Sequence, residues 1–456
     1  MGTASPGRIL GVLFAGVLLG ALDIAIVGPA LPAIQASFDV DERALAWVFN
    51  IYILFGLIGA PLLAKLSDRH GRRLVYIVCL SVFATGSLIV ASAPSFAMLL
   101  AGRAVQAFGA GGMLPVASAV VADTFPLERR GRALGLIGAV FGLAFVIGPI
   151  LGGVLLQFSW QWLFLVNPPL VIVLIVAGVR SLPTTTKPGS RAFDWRGALC
   201  LSIALAGLAW GISGLDAAAP LASLLSTRIW PLVAVAAVAA LVFWRLETRA
   251  PDPVFHPELF RSSQLRIVGA LAAATGLVEA SMVFLPSLSV RAFDVSPSAA
   301  SFMLLPLVAA LILGSLAAGQ LLDRIGAKPV IQLGLGFNVM GLFLFALLPV
   351  ALWSFYVAGC MIGLGLAGLL GAPLRFVTLQ EAGEERRGAG QGLLTLFLSL
   401  GRMFGAAMIG GIVASSAVSE LDGFRHALLY LGLVGSVGLL VSAGLRSGKT
   451  DAPRRA

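Results

Sequence analysis

The sequence predicts an all-α polytopic membrane protein with fourteen transmembrane helices, built from two parallel six-helix repeats and two inserted helices. Composition, long apolar runs and an internal repeat predict this fold class. Of the 456 residues, 59% are hydrophobic and only 11% are charged, which is too apolar for a protein folded in water. About fourteen runs have the roughly 20 apolar residues that a bilayer-spanning helix needs, and they fill the chain from Ile9 to Leu445.

The apolar runs divide the chain into four parts. These are an N-terminal six-helix bundle (1–185), two inserted transmembrane helices with cytoplasmic linkers (186–264), a C-terminal six-helix bundle (265–446) and a cytoplasmic tail (447–456). The first run, Ile9 to Phe38, is longer than the core of a signal peptide, so we expect it to be retained as helix 1. The second inserted run, Trp230 to Trp244, is short and rich in alanine, and the alternative is that it lies on the membrane surface.

The net charge of +10 indicates membrane topology rather than a nucleic-acid partner. With the termini and the even-numbered loops on one side, 25 of the 31 Lys and Arg residues fall on that side. Two more, Arg103 and Arg402, lie within helices. The odd-numbered loops hold the remaining four: Arg43, Arg228, Arg291 and Arg425. Because positive charge collects on the cytoplasmic side, we expect both termini in the cytoplasm and an even number of spans.

An internal repeat relates the two bundles. The matching pairs, separated by 255, 257 and 256 residues, are Ala64–Arg73 with Gly319–Lys328, Glu128–Leu136 with Glu385–Leu393, and Asp23 with Glu279. Each predicted half therefore carries a buried acid in its first helix, a D-R-x-G loop after its second and an E-R-R-G loop after its fourth. Since six helices are an even number, both halves enter the membrane in the same direction, as in secondary transporters built from parallel repeats.

The two acids of this repeat, Asp23 and Glu279, lie near the centres of their apolar runs. A carboxylate there costs on the order of 2.5 to 3.5 kcal/mol on insertion scales, so it must face a cavity, pair with a cation or be protonated. One interpretation is a buried ion pair that only fixes helix packing, with Arg103 or Arg402 as the partner. The other is that the low dielectric favours the neutral acid, so that each group can take up and release a proton.

Both D-R-x-G loops follow the second helix of a repeat and are predicted to lie on the cytoplasmic side. An aspartate there can cap a helix or pair with a cation, and this contact would break when the halves move. The alternative is a solvated basic loop that only sets topology. The residues of this predicted cytoplasmic gate are Asp68, Arg69, Gly71, Arg72 and Arg73, with Asp323, Arg324 and Gly326 in the second repeat.

Small residues crowd the fifth helix, where the sequence reads G-P-I-L-G-G. Glycines let neighbouring helix backbones approach closely, and a proline bends a helix by removing a hydrogen bond. The residues of this helix 5 motif are Gly148, Pro149, Gly152 and Gly153.

The sequence predicts neither catalysis nor a metal site nor a cofactor. The three cysteines, Cys79, Cys200 and Cys360, are far apart in apolar runs and form no ligand cluster. The three histidines are also distant from one another. The S-G-K-T tetrapeptide at 447–450 lacks the earlier glycine of a phosphate-binding loop, because position 443 is Ala443.

Taken together, these motifs resemble the major facilitator superfamily over essentially the whole chain. The segment Leu22–Pro32 is similar to the helix 1 signature of drug:proton antiporters. The segment Ala64–Arg73 is similar to the G-x-L-a-D-R-x-G-R-K loop, with Ala64 in place of its first glycine. Arg103, Gln106 and Gly109 resemble the helix 4 motif R-x-x-Q-G-x-G, with Ala107 in place of a glycine. The segments Gly148–Gly153 and Trp160–Pro169 resemble the helix 5 antiporter motif and the W-r-W-i-F-x-i-N-x-P stretch that follows it.

The resemblance implies roles for these residues. With fourteen spans, the chain resembles the larger branch of drug:proton antiporters, the multidrug efflux transporters. Proton coupling and substrate binding would then involve Asp23, Glu279, Arg103, Gln106 and Arg402. Asp68 and Arg72 would belong to the cytoplasmic gate, and Gly148 and Pro149 to the bend of helix 5. Glu279 lies in the ninth predicted helix, the first of the second bundle. An acid in that helix is not a fixed feature of the family, so Glu279 and Arg402 could equally be structural.

We therefore expect a proton-coupled antiporter that exports small amphipathic or hydrophobic compounds, cationic ones included, by alternating access. Its partners would be protons, a small-molecule substrate and the lipid bilayer, with no nucleic acid, and it would function as a monomer. The alternatives are an exporter of an endogenous metabolite, siderophore or lipid, and a proton-coupled importer. Only four of the 31 basic residues are lysines, which indicates a GC-rich bacterial genome and hence the inner membrane of a bacterium.

Overall fold

The computed structural model describes residues 5–184, 195–214, 220–248, 259, 261–349, 351–382, 387–416 and 419–446. Within these ranges the chain forms eighteen α-helices, which confirms the all-α class. The predicted tail 447–456, most of the first linker and the Glu385–Arg386 part of the repeated E-R-R-G loop lie outside the described residues.

The helices of the first half precede residue 185, and those of the insertion follow it. The first half contains α1 (Pro6–Phe38), α2 (Glu42–His70), α3 (Arg72–Ala91), α4 (Phe96–Thr124), α5 (Leu127–Leu155), α6 (Trp162–Leu165) and α7 (Asn167–Ser181). The insertion contains α8 (Trp195–Ser213), α9 (Pro220–Leu224) and α10 (Trp230–Glu247).

The second half repeats the order of the first, with two of its membrane spans broken into consecutive helices. It contains α11 (Ser263–Phe293), α12 (Pro297–Phe302), α13 (Leu305–Ile325), α14 (Ala327–Leu347), α15 (Leu352–Leu370), α16 (Ala372–Ala382), α17 (Arg387–Ala414) and α18 (Glu420–Ser442). Helices are the expected form because a backbone in lipid must satisfy its own hydrogen bonds.

Twelve helical segments of the described chain are long and apolar enough to cross a membrane. The 18-residue windows in these segments have mean hydropathies from 1.5 to 2.5. They include the alanine-rich segment Trp230–Glu247 of the insertion. The helices α5 and α8 are represented only by shorter apolar segments, Val146–Leu155 and Leu199–Ile212. A polytopic membrane protein is thus confirmed, whereas the count of fourteen is not, because twelve spans are found.

The described chain separates into two compact units. The first comprises 1–40, 47–202 and 296–302, and the second comprises 41–46, 203–295 and 303–456. The short segments 41–46 and 296–302 each cluster with the unit that does not contain their chain neighbours, and they occupy matching positions of the repeat. The predicted domain boundaries at 185/186 and 264/265 stay a prediction.

The first unit is held together by a core of apolar side chains and by close backbone contact between α3 and α4. Leu13, Tyr76, Phe83 and Val116 are buried in that core. Glycines allow the backbones of α3 and α4 to approach: a Cβ atom added at Gly109 would lie 2.6 Å from the Cys79 carbonyl oxygen and 2.6 Å from the Phe83 nitrogen. Small residues at helix contacts are the usual means of packing in membranes.

The second unit has its own core and its own glycine contact. Leu271, Ile331 and Leu335 are among its buried apolar residues. A Cβ atom added at Gly405 of α17 would lie 2.7 Å from the Leu277 carbonyl oxygen of α11. Helices α11 and α17 therefore pack closely, and this contact brings together the two charged residues of this unit described below.

The glycine of the D-R-x-G loop has a positive φ in both repeats. Gly71, between α2 and α3, has φ of 95°, and Gly326, between α13 and α14, has φ of 84°. Glycine reaches positive φ without the steric cost that a Cβ atom imposes. The repeated glycine is therefore explained by the turn that connects these helix pairs.

We predict that Gly109→Ala destabilises the protein, because the new methyl group would meet backbone atoms of α3 that cannot move independently. Overpacking of this kind costs about 1–3 kcal/mol, and it should lower the thermal unfolding temperature of the purified protein in detergent. Gly336→Ala is the matched control, since no atom lies within 4 Å of its added Cβ. Equal unfolding temperatures for the two variants would contradict the packing described for α3 and α4.

Candidate functional site

The first helix and the fourth helix of the N-terminal half meet at a fully buried ion pair. Asp23 of α1 and Arg103 of α4 are both 0% exposed, and Nη1 of Arg103 donates to Oδ2 of Asp23. Gln106, one helical turn after Arg103, donates from Nε2 to Oδ1 of Asp23 at 2.7 Å and accepts from Nη1 of Arg103 at 2.7 Å. The three side chains thus form a closed triangle of hydrogen bonds inside the bundle.

Two further helices extend this triangle into a network. Ser87 of α3 accepts hydrogen bonds from Gln106 at 2.8 Å and from Asn167 of α7 at 3.2 Å. The Ser87 hydroxyl itself donates to the Phe83 carbonyl at 3.0 Å. Asn167, Ser87 and Gln106 therefore each make at least one hydrogen bond in this buried network, as buried polar residues require.

Aromatic rings and a backbone carbonyl complete the surroundings of the guanidinium. The Arg103 Cζ atom lies 4.2 Å from the ring centre of Tyr52 and 5.6 Å from that of Phe164. Its Nε donates to the Val48 carbonyl at 3.3 Å. Cation–π contacts gain strength away from water, so this environment holds a permanent positive charge beside Asp23.

A second buried ion pair lies in the C-terminal half. Nε of Arg402 in α17 donates to Oε2 of Glu279 in α11 at 2.8 Å. The Glu279 side chain is 6% exposed and that of Arg402 is 22% exposed, so this pair is more open than the first. Sequence analysis predicted both acids and both arginines, and the structure pairs them within each half.

The two pairs do not correspond residue by residue. The acids occupy equivalent positions of the repeat, but Arg103 belongs to the fourth helix of its half and Arg402 to the fifth helix of its own. The equivalent of Arg103, 256 positions later, is Gly359. Each acid is thus paired with an arginine from a different helix of the repeat.

The predicted cytoplasmic gate forms a charge network in the first repeat. Arg72 pairs with Asp68 at 2.5 Å and with Asp123, near the end of α4, at 3.1 Å. It also donates to Ser67 at 2.6 Å. Arg73 donates to the Val179 carbonyl at 3.2 Å, whereas Arg69 is exposed. The D-R-x-G loop here connects the ends of α2, α3 and α4.

The second repeat lacks this network. Asp323 and Arg324 are exposed, and within the described chain neither side chain makes a hydrogen bond or ion pair. The position equivalent to Arg72 is Ala327, which removes the cation that links the aspartates of the first repeat. Lys328 instead donates to the Ala443 carbonyl at 2.6 Å.

All four residues of the helix 5 motif are buried in α5. Gly152 faces Pro29 of α1, where an added Cβ would be 3.1 Å from the proline ring. The Pro149 carbonyl accepts a hydrogen bond from Ser301 at 2.7 Å, and the Gly153 carbonyl accepts one from Ser298 at 2.5 Å. The small residues therefore allow close helix packing, and two backbone carbonyls of α5 accept hydrogen bonds from side chains of α12.

Sequence reasoning did not identify Ser87, Asn167 or Tyr52 as members of the site. A serine or tyrosine within an apolar run is uncharged, so one sequence gives no reason to single out Ser87 or Tyr52. Asn167 did carry a signal, since it is the asparagine of the W-r-W-i-F-x-i-N-x-P stretch. In the part of the chain that the structure describes, no group of three or more His, Cys, Asp or Glu residues could hold a metal ion.

Comparison with known proteins assigns most of the chain to one family. The profile described as "Major Facilitator Superfamily" matches residues 13–406 and, in a second match, 267–455. The chain is 33% identical over 407 residues to the uncharacterized MFS-type transporter YfiU of Bacillus subtilis, covering 88% of this chain and 78% of that protein. It is 29% identical to the multidrug transporter protein MdtP of the same species, with 89% and 74% covered.

Two further similarities extend this picture. The multidrug resistance protein Stp of Mycobacterium tuberculosis is 29% identical, with 89% of this chain and 76% of that protein covered. Among solved structures, a D-xylose–proton symporter aligns with a TM-score of 0.68 over 97% of this chain and 98% of the other, at 13% identity. At that identity the structural likeness indicates the fold alone.

We predict that Arg103→Gln destabilises the protein, because Asp23 would be left as a buried charge without its counter-ion. Removing one partner of a buried pair costs about 3–5 kcal/mol. The double variant Asp23→Asn/Arg103→Gln should recover at least half of that loss, measured by thermal unfolding in detergent. Arg324→Gln is the control and should stay within about 0.5 kcal/mol of wild type. A double variant as unstable as Arg103→Gln would contradict the pairing.

Proposed function

Because the chain belongs to the major facilitator superfamily, we propose that it is a proton-coupled antiporter that exports small amphipathic or hydrophobic compounds. Membership of the family makes it a membrane transporter of small molecules, not an enzyme. The named functions of the relatives MdtP and Stp, multidrug transport and multidrug resistance, support drug efflux as the physiological role.

The observation that carries the proposal is the closed triangle of Asp23, Arg103 and Gln106. An ionised Asp23 holds Arg103 and Gln106 together through both of its oxygens. A proton on Asp23 would cancel the charge that pairs with Arg103 and would weaken both contacts. Protonation would therefore exchange one arrangement of α1 and α4 for another, which is the coupling that alternating access needs.

Antiport follows if proton and substrate exclude each other. When the carboxylate is charged, Arg103 is neutralised within the bundle; when it is protonated, the guanidinium needs another partner. Substrate binding and protonation would then favour different states of the same bundle, and the proton gradient would drive export. Glu279 with Arg402 offers a second such pair in the other half, and Asp68 with Arg72 would control the cytoplasmic side.

We also propose the topology that the sequence predicts. Fourteen spans would arise if α5 and α8 cross the membrane together with the twelve apolar segments. Both termini would then lie in the cytoplasm, and the protein would reside as a monomer in the inner membrane of a bacterium. The buried small residues of the helix 5 motif support the assignment to exporters.

We expect cells that express the protein to retain less of an amphipathic dye than cells with an empty vector, and a protonophore should abolish the difference. A cationic dye and a carboxylated dye should both be tested. Asp23→Asn should lose export, because the asparagine side-chain amide neither gains nor loses a proton near neutral pH. Asp294→Asn is the matched control, since Asp294 is exposed and has a φ of 51°, which asparagine tolerates.

Proteoliposomes provide the direct measurement. A substrate gradient should drive protons in the opposite direction in wild type and Asp294→Asn, and not in Asp23→Asn. Transport without any proton movement would refute antiport. If no dye is exported although all variants reach the membrane, drug export is wrong and the cargo is a specific metabolite.

For topology, we expect reporter fusions after Thr184 and after Thr248 to report the cytoplasm, and a fusion after Leu225 to report the opposite side. This pattern requires α8 and α10 both to cross the membrane. Alkaline phosphatase, active only outside the cytoplasm, and a fluorescent protein, fluorescent only inside, provide opposite readouts. A cytoplasmic signal after Leu225 would contradict the fourteen-span topology.

A further inference from the structure

Two arginines meet at one end of the helix pair formed by α3 and α7. Arg73, in the first turn of α3, donates from Nη1 to the carbonyl of Val179 in the last turn of α7, at 3.2 Å. Arg180 directly follows Val179 in the chain, and its side chain is exposed. Cations are favourable at this end of a helix because its last carbonyls carry partial negative charge. The C-terminal end of α7 therefore brings two guanidinium groups together.

Neither of these guanidinium groups is paired with a carboxylate in the part of the chain that the structure describes. Helices α3 and α7 themselves contain no Asp or Glu. The carboxylates at the neighbouring helix ends are Asp68 of α2 and Asp123 of α4, and both pair with Arg72. The charges of Arg73 and Arg180 therefore remain available to a partner outside the chain.

Positive charge dominates the end of the first unit at which α1, α3 and α5 begin and α2, α4 and α7 end. The charged side chains described there are six cations and two carboxylates: Arg8, Lys65, Arg69, Arg72, Arg73 and Arg180 against Asp68 and Asp123. In sequence, the start of α5 adds Glu128 and three arginines. An excess of cations beside a membrane favours a negatively charged partner.

An apolar surface continues from the two arginines along the same helices. Leu74 of α3 is 55% exposed and Val179 of α7 is 50% exposed. Val78 and Val176, one turn further from the charged end, are also exposed. Both helices belong to membrane spans, so these side chains face lipid. A phospholipid has the same order of groups, with a charged headgroup followed by apolar chains.

Part of this arrangement recurs in the second half. Lys328, 255 positions after Arg73, donates from Nζ to the Ala443 carbonyl at the C-terminal end of α18, at 2.6 Å. A cation at the start of the third helix thus binds the end of the sixth helix in both halves. In the second half, however, Arg446 lies 3.8 Å from Glu381. The cations of the first half are therefore the better placed to bind an external anion.

We propose that Arg73 and Arg180 bind the phosphate group of an anionic phospholipid, whose acyl chains lie along the exposed faces of α3 and α7. This inference goes beyond the proposed transport function, and it uses only the proposed topology, which places this end at the cytoplasmic leaflet. Guanidinium groups bind phosphate oxygens with paired, charge-assisted hydrogen bonds. Basic sites between membrane helices on that side suit anionic headgroups.

Lipid binding to the purified full-length protein in detergent, followed by native mass spectrometry, tests the proposal. The probes are dioleoyl phosphatidylglycerol, which is anionic, and dioleoyl phosphatidylcholine, which has the same acyl chains and no net charge. Wild type should bind the first phosphatidylglycerol molecule at least about fivefold more tightly than phosphatidylcholine. Arg180→Gln should weaken phosphatidylglycerol binding about fivefold and change phosphatidylcholine binding less than about twofold.

Matched double variants separate a site from diffuse attraction by the basic loops. Arg73→Gln/Arg180→Gln should weaken phosphatidylglycerol binding at least about tenfold. Arg266→Gln/Arg324→Gln removes two exposed cations from the second unit and should leave that binding within about twofold of wild type. Arg73→Lys should keep the preference, since Lys328 makes the equivalent contact. Equal loss in the two double variants would show that the cations only attract lipid diffusely, and the site would be refuted.

Inorganic phosphate distinguishes a lipid from a free anion. Excess phosphate should not displace phosphatidylglycerol, because phosphate lacks the acyl chains that would contact Leu74 and Val179. Displacement by phosphate, or equal binding of the two lipids to wild type, would overturn the proposal. The measurement uses neither a transported substrate nor a proton gradient, so failure of the proposed antiport would leave its result unchanged.

Discussion

The N-terminal bundle depends on a carboxylate and a guanidinium that are both removed from water. Each ion alone would cost several kcal/mol to bury, and their attraction offsets this cost together with a hydrogen bond to each carboxylate oxygen of Asp23. Gln106 supplies the second donor to Asp23, and Ser87 accepts hydrogen bonds from both Gln106 and Asn167. Four helices are thereby fixed relative to one another through one charge, and a change in that charge acts on all of them.

The C-terminal half uses the same chemistry with less enclosure. Its acid is held by a single arginine, and part of that arginine is open to its surroundings. A closed pair is suited to storing a proton or fixing helices, whereas an open pair can exchange its partner. The two halves are therefore similar in topology and different in what their charges can do.

Much of this could be read from the sequence, because a charged residue in an apolar run has few possible roles. Asp23, Glu279, Arg103 and Arg402 stand out for that reason, and the repeat offset identifies the two acids as equivalents. The pairing could not be read, since the partners are separated by 80 residues in one half and 123 in the other. Ser87 was missed because small hydroxyl residues often bond only their own helix.

The position of Ala327 shows how far the two repeats have diverged. The turn glycine and the aspartate survive in both loops, while the arginine that joins three helix ends survives in one. The membrane arginines differ more, since they come from different helices. Such a pattern fits a duplicated ancestral half whose acid and turn were already present and whose cations were acquired or lost independently. The two repeats thus share the membrane acid and the turn, whereas the cation that pairs with each acid is specific to its own half.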